Sequence, residues 1–360
     1  MRLKNLVQSN QMTSIYEIKD KLAGKKIAID DVVTTYSSKK ESHKSAWAYL
    51  LMSQLKSLGL DVTVLTKDGN IHDFDVWMVA LPMEFQGSYN LFGGAGDEPA
   101  ARIQRFIDFK GDVYCLNRQM PDVGAFAQSR MNSCTDNWKS LDVAILSSRS
   151  NNVESIDLTL NSEIFVLGDS HSVSAYVPGA NISRNDGKTL FGIIKEGMQN
   201  YIPAGTKHLI TYFGNIDVRH HLCRQPDPIA STESLVKNYV EHLKSLGMEK
   251  ISVMQLLPID HEERRIPKTG FYKGTPFYGN LEKRLEICRI FNNKLSIYLS
   301  EAGYEFIQWP SEWYKLSPKD YADIYMEKPG SVHLSRNYYQ YDFETGKKNP
   351  ELKPKVTSLF

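Results

Sequence analysis

Short apolar runs along this chain alternate with longer segments whose apolar residues recur at helical spacing. In the first half, the apolar runs predict strands at 25–30, 61–66, 76–82, 112–117 and 142–148. Between the first two strands, leucines at helical spacing that stop at Gly59 predict a helix. Strands that alternate with helices favour a parallel, doubly wound sheet.

A polar stretch at 147–162 interrupts this pattern and predicts a linker with room for one short strand. The pattern then restarts, with strands predicted at 164–168, 208–214, 251–258 and 304–310 and helices over 187–201, 231–247 and 281–303. The predicted fold class is therefore α/β, with two Rossmann-like, doubly wound domains that face a cleft. We place these domains at 1–150 and 160–345, followed by a loosely ordered tail at 346–360.

Composition narrows the class of protein. The 360 residues include 41% hydrophobic and 24% charged residues, as in ordinary globular proteins. A net charge of +1 predicts no general attraction to nucleic acid, so any contact with DNA would need a local basic patch. Four cysteines without CxxC spacing predict a reducing compartment and no zinc cluster. The absence of a long apolar run predicts a cytoplasmic protein without a membrane partner.

The first candidate for chemistry is the segment 168–171, Gly-Asp-Ser-His, which directly follows the apolar run at 164–167. Three interpretations of Ser170 stay open. It is a nucleophile with His333 as its base, a residue that binds phosphate at a strand-to-helix turn, or a turn residue with no further role. His333 is correspondingly either that base or a structural histidine.

A second polar cluster follows the strand predicted at 208–214. It contains Asp217, Arg219, His220, His221 and Arg224, and its place at the carboxyl end of a strand favours a ligand site. A guanidinium there is suited to bidentate contact with a diphosphate. Adjacent histidines rarely converge on one ion, so we predict no metal site.

The third candidate is a glycine-containing loop in the first half. Asn90, Gly93 and Gly94 lie between an apolar strand and a helix, where glycines leave room for a ligand. The turn at 117–122 follows the next strand and should open on the same edge of the sheet. We therefore predict one pocket lined by both turns, with Asp122 as the carboxylate able to act as a base.

A long segment at 258–279 combines cations with aromatic residues. Arg264, Arg265, Lys268 and Lys273 lie beside phenylalanines and tyrosines, a mixture that suits a phosphate-bearing or nucleic-acid ligand. A solvated basic loop explains the same composition equally well.

The first half resembles the acceptor domain of the T-even phage DNA β-glucosyltransferases, which are enzymes of the GT-B fold. The resemblance covers residues 25–130 and rests on "KKIAI", "LKSLGLDVTVLT", "NLFGG" and "DVYCLNRQMP". It implies an aspartate base after the strand at 112–117. Asn117 or Arg118 stands at that place here, and Asp122 is the nearest carboxylate.

The second half resembles the SGNH, or GDSL-type, hydrolases. "GDSH" matches the first block, "GNID" at 214–217 the third, and "GSVHLS" at 330–335 the last. The resemblance implies that Ser170 is the nucleophile and His333 the base. Gly330 replaces the usual aspartate, so Glu327 or Asp323 would have to orient the histidine. The oxyanion asparagine is either replaced by Ile216 or shifted by one residue.

The leading hypothesis is a phage-type glycosyltransferase that moves a sugar from a nucleotide-sugar to a hydroxymethylated base, such as hydroxymethylcytosine, in double-stranded DNA. The expected cofactor is a UDP-sugar, and the sequence does not indicate a divalent cation. The catalytic candidates are Asp122, Ser170, His333 and Asp217. The donor candidates are Gly168, Asp169, Ser170, His171, Arg219, His220 and Lys268. The acceptor candidates are Asn90, Gly93, Gly94, Asn117 and Arg118. The alternatives are an SGNH-type esterase or acyltransferase, and a non-catalytic protein that binds carbohydrate or nucleic acid.

Overall fold

A computed structural model describes residues 13–31, 46–65, 69–80, 109–118, 153–259, 274, 278–327 and 331–349. The chain divides into two compact units: Met1–Asn161 with Phe343–Gly346, and Ser162–Asp342 with Lys347–Phe360. Each unit is built on a parallel β-sheet with helices in its connections, which confirms the predicted α/β class. The prediction of a cleft between two domains stays a prediction.

The first unit contains a six-stranded sheet. Its elements are β1 (Thr13–Ser14), α1 (Ile15–Leu22), β2 (Lys26–Asp31), α2 (Ala46–Ser57), β3 (Asp61–Val64), β4 (Val76–Ala80), β5 (Asp112–Arg118) and β6 (Val153–Asp157). The strand order is β1-β6-β5-β4-β2-β3. The stretch predicted as a linker contains β6, which pairs with β5. The strand predicted at 142–148 lies outside the described residues.

The second unit contains a five-stranded sheet. Its elements are β7 (Ile164–Gly168), β8 (Asn181–Arg184), α3 (Leu190–Glu196), β9 (His208–Tyr212), a π-helix (Asp217–His221), α4 (Pro228–Ser245), β10 (Lys250–Met254), α5 (Leu281–Ala302), β11 (Glu305–Ile307) and α6 (Pro318–Tyr325). The strand order is β11-β10-β9-β7-β8, the doubly wound order of flavodoxin-like sheets.

β7 lies at the point where this strand order reverses. It pairs with β8 on one side and with β9 on the other. In open parallel sheets, ligands bind beyond the carboxyl ends of the strands at such a point. Its core residues Phe165, Val166 and Leu167 are all buried, as expected for a central parallel strand. The segment that follows β7 is therefore the expected place for a site.

β8 is absent from the predicted strands because its sequence, Asn-Ile-Ser-Arg, is mostly polar. All four residues are nevertheless buried, and Arg184 pairs with Asp186 at 2.6 Å. The tail also differs from the prediction at its start. Tyr341 and Lys348 form an antiparallel bridge, and the Asn349 backbone N–H donates to the Gln340 carbonyl. Hydrogen bonds and ion pairs of polar groups stabilise both segments, buried in β8 and largely exposed in the tail, and an apolar periodicity does not detect them.

Candidate functional site

Ser170 lies in the turn that directly follows β7. The Asp169 backbone N–H donates to the Tyr212 carbonyl at 3.1 Å, which fixes the turn against the end of β9. A Cβ at Gly168 would lie 2.6 Å from that same Tyr212 oxygen, so only glycine allows this approach. Ser170 itself is half-buried at the carboxyl end of the sheet.

The Ser170 hydroxyl is paired with His333. Its Oγ lies 2.9 Å from His333 Nε2, within the distance at which a base accepts the proton of a nucleophile. The histidine is 17% exposed. Backbone hydrogen bonds from Glu327 N–H to the His333 carbonyl (3.1 Å) and from Ser335 N–H to the Tyr325 carbonyl (2.8 Å) hold its segment. The sequence resemblance predicted this pair, and the two residues are together.

Glu327 is the carboxylate beside the other ring nitrogen. Its Oε1 lies 3.9 Å from His333 Nδ1, and its side chain is only 3% exposed. That separation is longer than a hydrogen bond but close enough to stabilise a protonated ring electrostatically. Ser331 Oγ donates to the same Oε1 at 2.6 Å and accepts the His333 N–H at 3.1 Å. Asp323 is exposed on α6, so of the two carboxylates that the sequence left open, Glu327 is the one that lies beside His333.

A buried cluster of three charged or titratable side chains lies next to Ser170. His171 Nδ1 lies 2.8 Å from Asp169 Oδ1, and its Nε2 lies 2.9 Å from Arg219 Nη2. A guanidinium only donates hydrogen bonds, whereas the Val332 carbonyl oxygen, 3.0 Å from the same Nε2, only accepts them, so this nitrogen contacts one donor and one acceptor. All three side chains are buried, and the Asp169 carboxylate and the Arg219 guanidinium contact the ring from opposite nitrogens.

His171 also connects the Ser170 turn to the segment that carries His333. Its Nε2 lies 3.0 Å from the Val332 carbonyl oxygen. The rings of His171 and His333 have centroids 5.1 Å apart. Sequence reasoning assigned His171 and Arg219 to a phosphate-bearing donor. In the structure the Arg219 guanidinium instead contacts His171. The only feature of the sequence that pointed to this cluster was the histidine directly after Ser170.

The loop after β9 carries Asn215, the displaced asparagine of the third block. Gly214 before it has a φ of 112°, and a Cβ there would lie 2.6 Å from the Phe291 ring. Asn215 is buried, and its side-chain amide interacts with the hydroxyl of Tyr212. Ile216 offers no side-chain donor, so Asn215 is the residue of this block that carries a side-chain amide.

Asp217 caps α3. Its two carboxylate oxygens accept the backbone N–H groups of Leu190 at 2.7 Å and Phe191 at 3.2 Å. Burial raises the pKa of this carboxyl to about 6, while the two amides oppose the rise. Both oxygens are occupied by backbone donors, so the contacts of Asp217 are those of a structural cap.

The other predicted site residues divide into two groups. His220 is buried next to Arg219 in the π-helix, and Asn117 and Arg118 are the last residues of β5. The remaining predicted residues lie outside the described residues: Asn90, Gly93, Gly94, Asp122 and Lys268. The acceptor pocket and the basic segment at 258–279 therefore stay predictions.

Neither a metal cluster nor a membrane helix is found in the ranges that the structure describes. Within them, no three residues of the types His, Cys, Asp and Glu are grouped to hold a metal ion. None of the described helices combines the length and apolar character that a membrane crossing requires.

No family model matches the chain, and no curated protein matches it either. The solved structures that match include a GDSL-like lipase from Bacteroides thetaiotaomicron, with 14% identity, 42% of this chain and 68% of that chain covered, and a TM-score of 0.30. A protein from Streptococcus pneumonia described as a putative platelet activating factor matches with 15% identity, coverage of 52% and 83%, and a TM-score of 0.34. A mutant acetyl-xylooligosaccharide esterase from Geobacillus Stearmophilus matches with 12% identity, coverage of 43% and 80%, and a TM-score of 0.30. At this level of similarity, none of them assigns an activity to this chain.

These findings correct the leading hypothesis. The description of the chain as a DNA-modifying glycosyltransferase is wrong, since the matching structures just described carry lipase and esterase names. The UDP-sugar and the DNA partner stay predictions. The resemblance of the first half to the phage enzymes gains no support from these structures. The structure of the second half agrees with this correction: the Ser170 hydroxyl contacts the His333 ring, and Arg219 is buried against His171.

Proposed function

We propose that this chain is a serine-dependent ester hydrolase in which Ser170 is the nucleophile and His333 the general base. The observation that carries the proposal is the 2.9 Å contact between Ser170 Oγ and His333 Nε2 at the point where the strand order reverses. If Ser170 served only to form the turn, its hydroxyl would not require a contact with a histidine ring.

In the acylation step, His333 Nε2 takes the proton from Ser170 as Oγ attacks the carbonyl carbon of an ester. The histidine then gives this proton to the leaving alcohol as the tetrahedral intermediate collapses to an acyl-serine. In the second step the same nitrogen takes a proton from water, and the resulting hydroxide displaces the acyl group from Ser170. A carboxylic acid leaves, and the proton returns to Ser170.

Glu327 supports both steps because it lies beside the nitrogen opposite to the reacting one. When His333 is protonated, the buried carboxylate faces the new positive charge in a region where water screens it little. Ser331 holds the carboxylate through its 2.6 Å hydrogen bond. The 3.9 Å separation means that the carboxylate acts by charge rather than by a direct hydrogen bond.

The oxyanion needs donors, and two groups offer them. The Ser170 backbone N–H lies in the turn after β7, and Asn215 contributes its amide. Removal of one such donor costs other hydrolases about 10²–10³-fold in kcat. We therefore expect Asn215→Ala to reduce turnover by that order and to leave the labelling of Ser170 detectable.

A fluorophosphonate probe tests the proposal directly. Wild-type protein should gain one adduct, which peptide mass spectrometry should map to Ser170, and it should hydrolyse p-nitrophenyl acetate. Ser170→Ala should abolish the adduct and lower turnover by several orders of magnitude with the circular dichroism spectrum unchanged. A folded wild-type protein that neither reacts with the probe nor hydrolyses the ester would overturn the proposal.

A further inference from the structure

A cavity of about 680 Å³ lies on the second unit, and neither Ser170 nor His333 lines it. It is bounded by the first residues of α3, by the π-helix and by the first half of α4. Its volume falls within the range of roughly 300–1,000 Å³ that small-molecule sites occupy. The mechanism proposed for Ser170 makes no use of this cavity.

Uncharged polar side chains form a large part of its wall. Five lining residues carry a hydroxyl or an amide: Thr189, Gln225, Ser231, Ser234 and Asn238. Each of these groups both donates and accepts hydrogen bonds. The hydroxyl groups of a ligand have the same dual capacity, so the wall suits a molecule that carries several of them.

Apolar surface completes the wall. Leu222 and Leu235 line it from buried positions, while Phe191 also lines it and is 64% exposed. An exposed aromatic ring beside hydroxyls and amides offers an apolar face to the C–H side of a ligand ring. A purely apolar ligand would cover the hydroxyls and amides of this wall without offering them hydrogen bonds, which is costly on burial.

The charges around the cavity favour a neutral ligand. No described lysine or arginine lines it, so an anion would find no counter-charge. Asp217 is the one lining carboxylate among the described residues, and both of its oxygens already accept backbone N–H groups. Burial lowers the pKa of the remaining titratable lining residue, His221, which favours its neutral form.

We propose that this cavity binds a neutral, polyhydroxylated molecule of the saccharide class, at a site separate from Ser170. The π-helix joins the two places, because Asp217 and His221 line the cavity and Arg219 between them contacts His171. π-helical turns are frequent at functional sites. The binding itself does not require that Ser170 cleave an ester.

The test measures binding of maltose, cellobiose and xylobiose to the full chain by saturation-transfer NMR and calorimetry. Ala230→Trp fills the cavity from an exposed position on α4 and should abolish binding. Phe191→Ala should weaken the best-bound disaccharide about tenfold, the equivalent of a lost aromatic contact. Asn238→Ala should weaken it about 2–10-fold through a lost hydrogen bond.

Matched controls lie on the same surfaces. Lys237→Ala removes the exposed neighbour of Asn238, and Ile297→Ala removes another exposed apolar side chain; neither residue lines the cavity. Both variants should bind the disaccharide as wild type does. Ser170→Ala should also bind it normally, which separates this proposal from the hydrolase proposal.

Four results would overturn the inference. The first is that none of the three disaccharides binds to wild-type protein. The second is wild-type affinity in the folded Ala230→Trp variant or in both Phe191→Ala and Asn238→Ala. The third is tighter binding of glucuronate than of glucose, which would show an anion site. The fourth is loss of saccharide binding once Ser170 carries the fluorophosphonate adduct, which would place the saccharide at Ser170.

Discussion

Two clusters of serine, histidine and glutamate lie on the sheet of the second unit. One joins Ser170, His333 and Glu327 beyond the carboxyl end of β7. The other joins Ser252, His208 and Glu305 on three neighbouring strands, β10, β9 and β11. They contain the same three residue types, and the order of their contacts gives them different chemistry.

In the first cluster the histidine lies between the serine and the carboxylate. In the second cluster the serine is in the middle: Ser252 Oγ donates to Glu305 Oε2 at 2.6 Å and lies 2.8 Å from His208 Nε2. A hydroxyl has one proton, so Ser252 must accept from His208, and this nitrogen therefore cannot act as its base. Ser252 is also fully buried, whereas Ser170 is half-buried.

Position in the sheet explains the rest of the difference. Ser252 lies in the middle of β10, and His208 and Glu305 are the first residues of their strands. Ser170 follows its strand at the reversal of strand order, where the sheet leaves a crevice. Residue types alone therefore do not make a nucleophile; contact order and place in the fold decide.

The largest difference in turnover is expected between variants of the two histidines. His333→Ala should lower kcat for p-nitrophenyl acetate by about 10³-fold or more, because Ser170 then loses its base. His208→Ala should leave turnover within about twofold of wild type. Steady-state kinetics on both folded variants measures this, and equal losses in the two would contradict the assignment of the base.

A smaller effect is expected from the two glutamates. Glu327→Gln should lower kcat by less than the roughly 10⁴-fold known for a directly bonded triad carboxylate, since Glu327 acts at 3.9 Å. We expect about 10–10²-fold, with little change in KM. Glu305→Gln serves as the control and should retain full turnover. If Glu327→Gln left kcat unchanged, the Glu327 carboxylate would have no part in the mechanism.

The sequence predicted the alternation of strands and helices well, because buried parallel strands are continuous apolar runs such as 164–167 and 251–254. It did not predict β8, whose polar residues are buried with partners that periodicity cannot reveal. It also missed β1, since two residues are too few for any pattern.

The candidate site divides in the same way. Ser170 and His333 were predicted together because each lies in a short motif. The choice of Glu327 over Asp323 depended on how α6 ends and how the chain returns at 331–335, which spacing does not reveal. The cluster of Asp169, His171 and Arg219 joins residues about fifty positions apart and was predicted instead as a diphosphate site.

The two serines should also differ in their contribution to stability, and here the larger effect is expected at Ser252 rather than at Ser170. Ser252→Ala should lower the free energy of unfolding by about 1–2 kcal/mol, because it removes a buried hydroxyl that bridges two polar side chains. Ser170→Ala should change it by less than about 0.5 kcal/mol. Urea unfolding of both variants gives the comparison. A larger loss at Ser170 would mean that its hydroxyl is structural.

The smallest effect is a shift in one titration. The hydroxyl of Ser252 holds the pKa of Glu305 below its ordinary value, with burial opposing. A carboxylate with a depressed pKa stabilises the fold above its unfolded pKa, and this contribution is lost as the pH falls through the folded value. Ser252→Ala should therefore raise the pKa of Glu305. The folded protein should then lose less of its free energy of unfolding through Glu305 as the pH falls.

Carbon-13 NMR of the glutamate carboxyl groups follows this shift, with Ser170→Ala as the variant in which the pKa of Glu305 should stay unchanged. An unaltered pKa in Ser252→Ala would mean that the Ser252 proton does not point to Glu305. His208 Nε2 could then accept that proton, and the second cluster would have the same contact order as the first at the serine. Only burial and position in the sheet would then remain to distinguish Ser170, the proposed nucleophile, from Ser252.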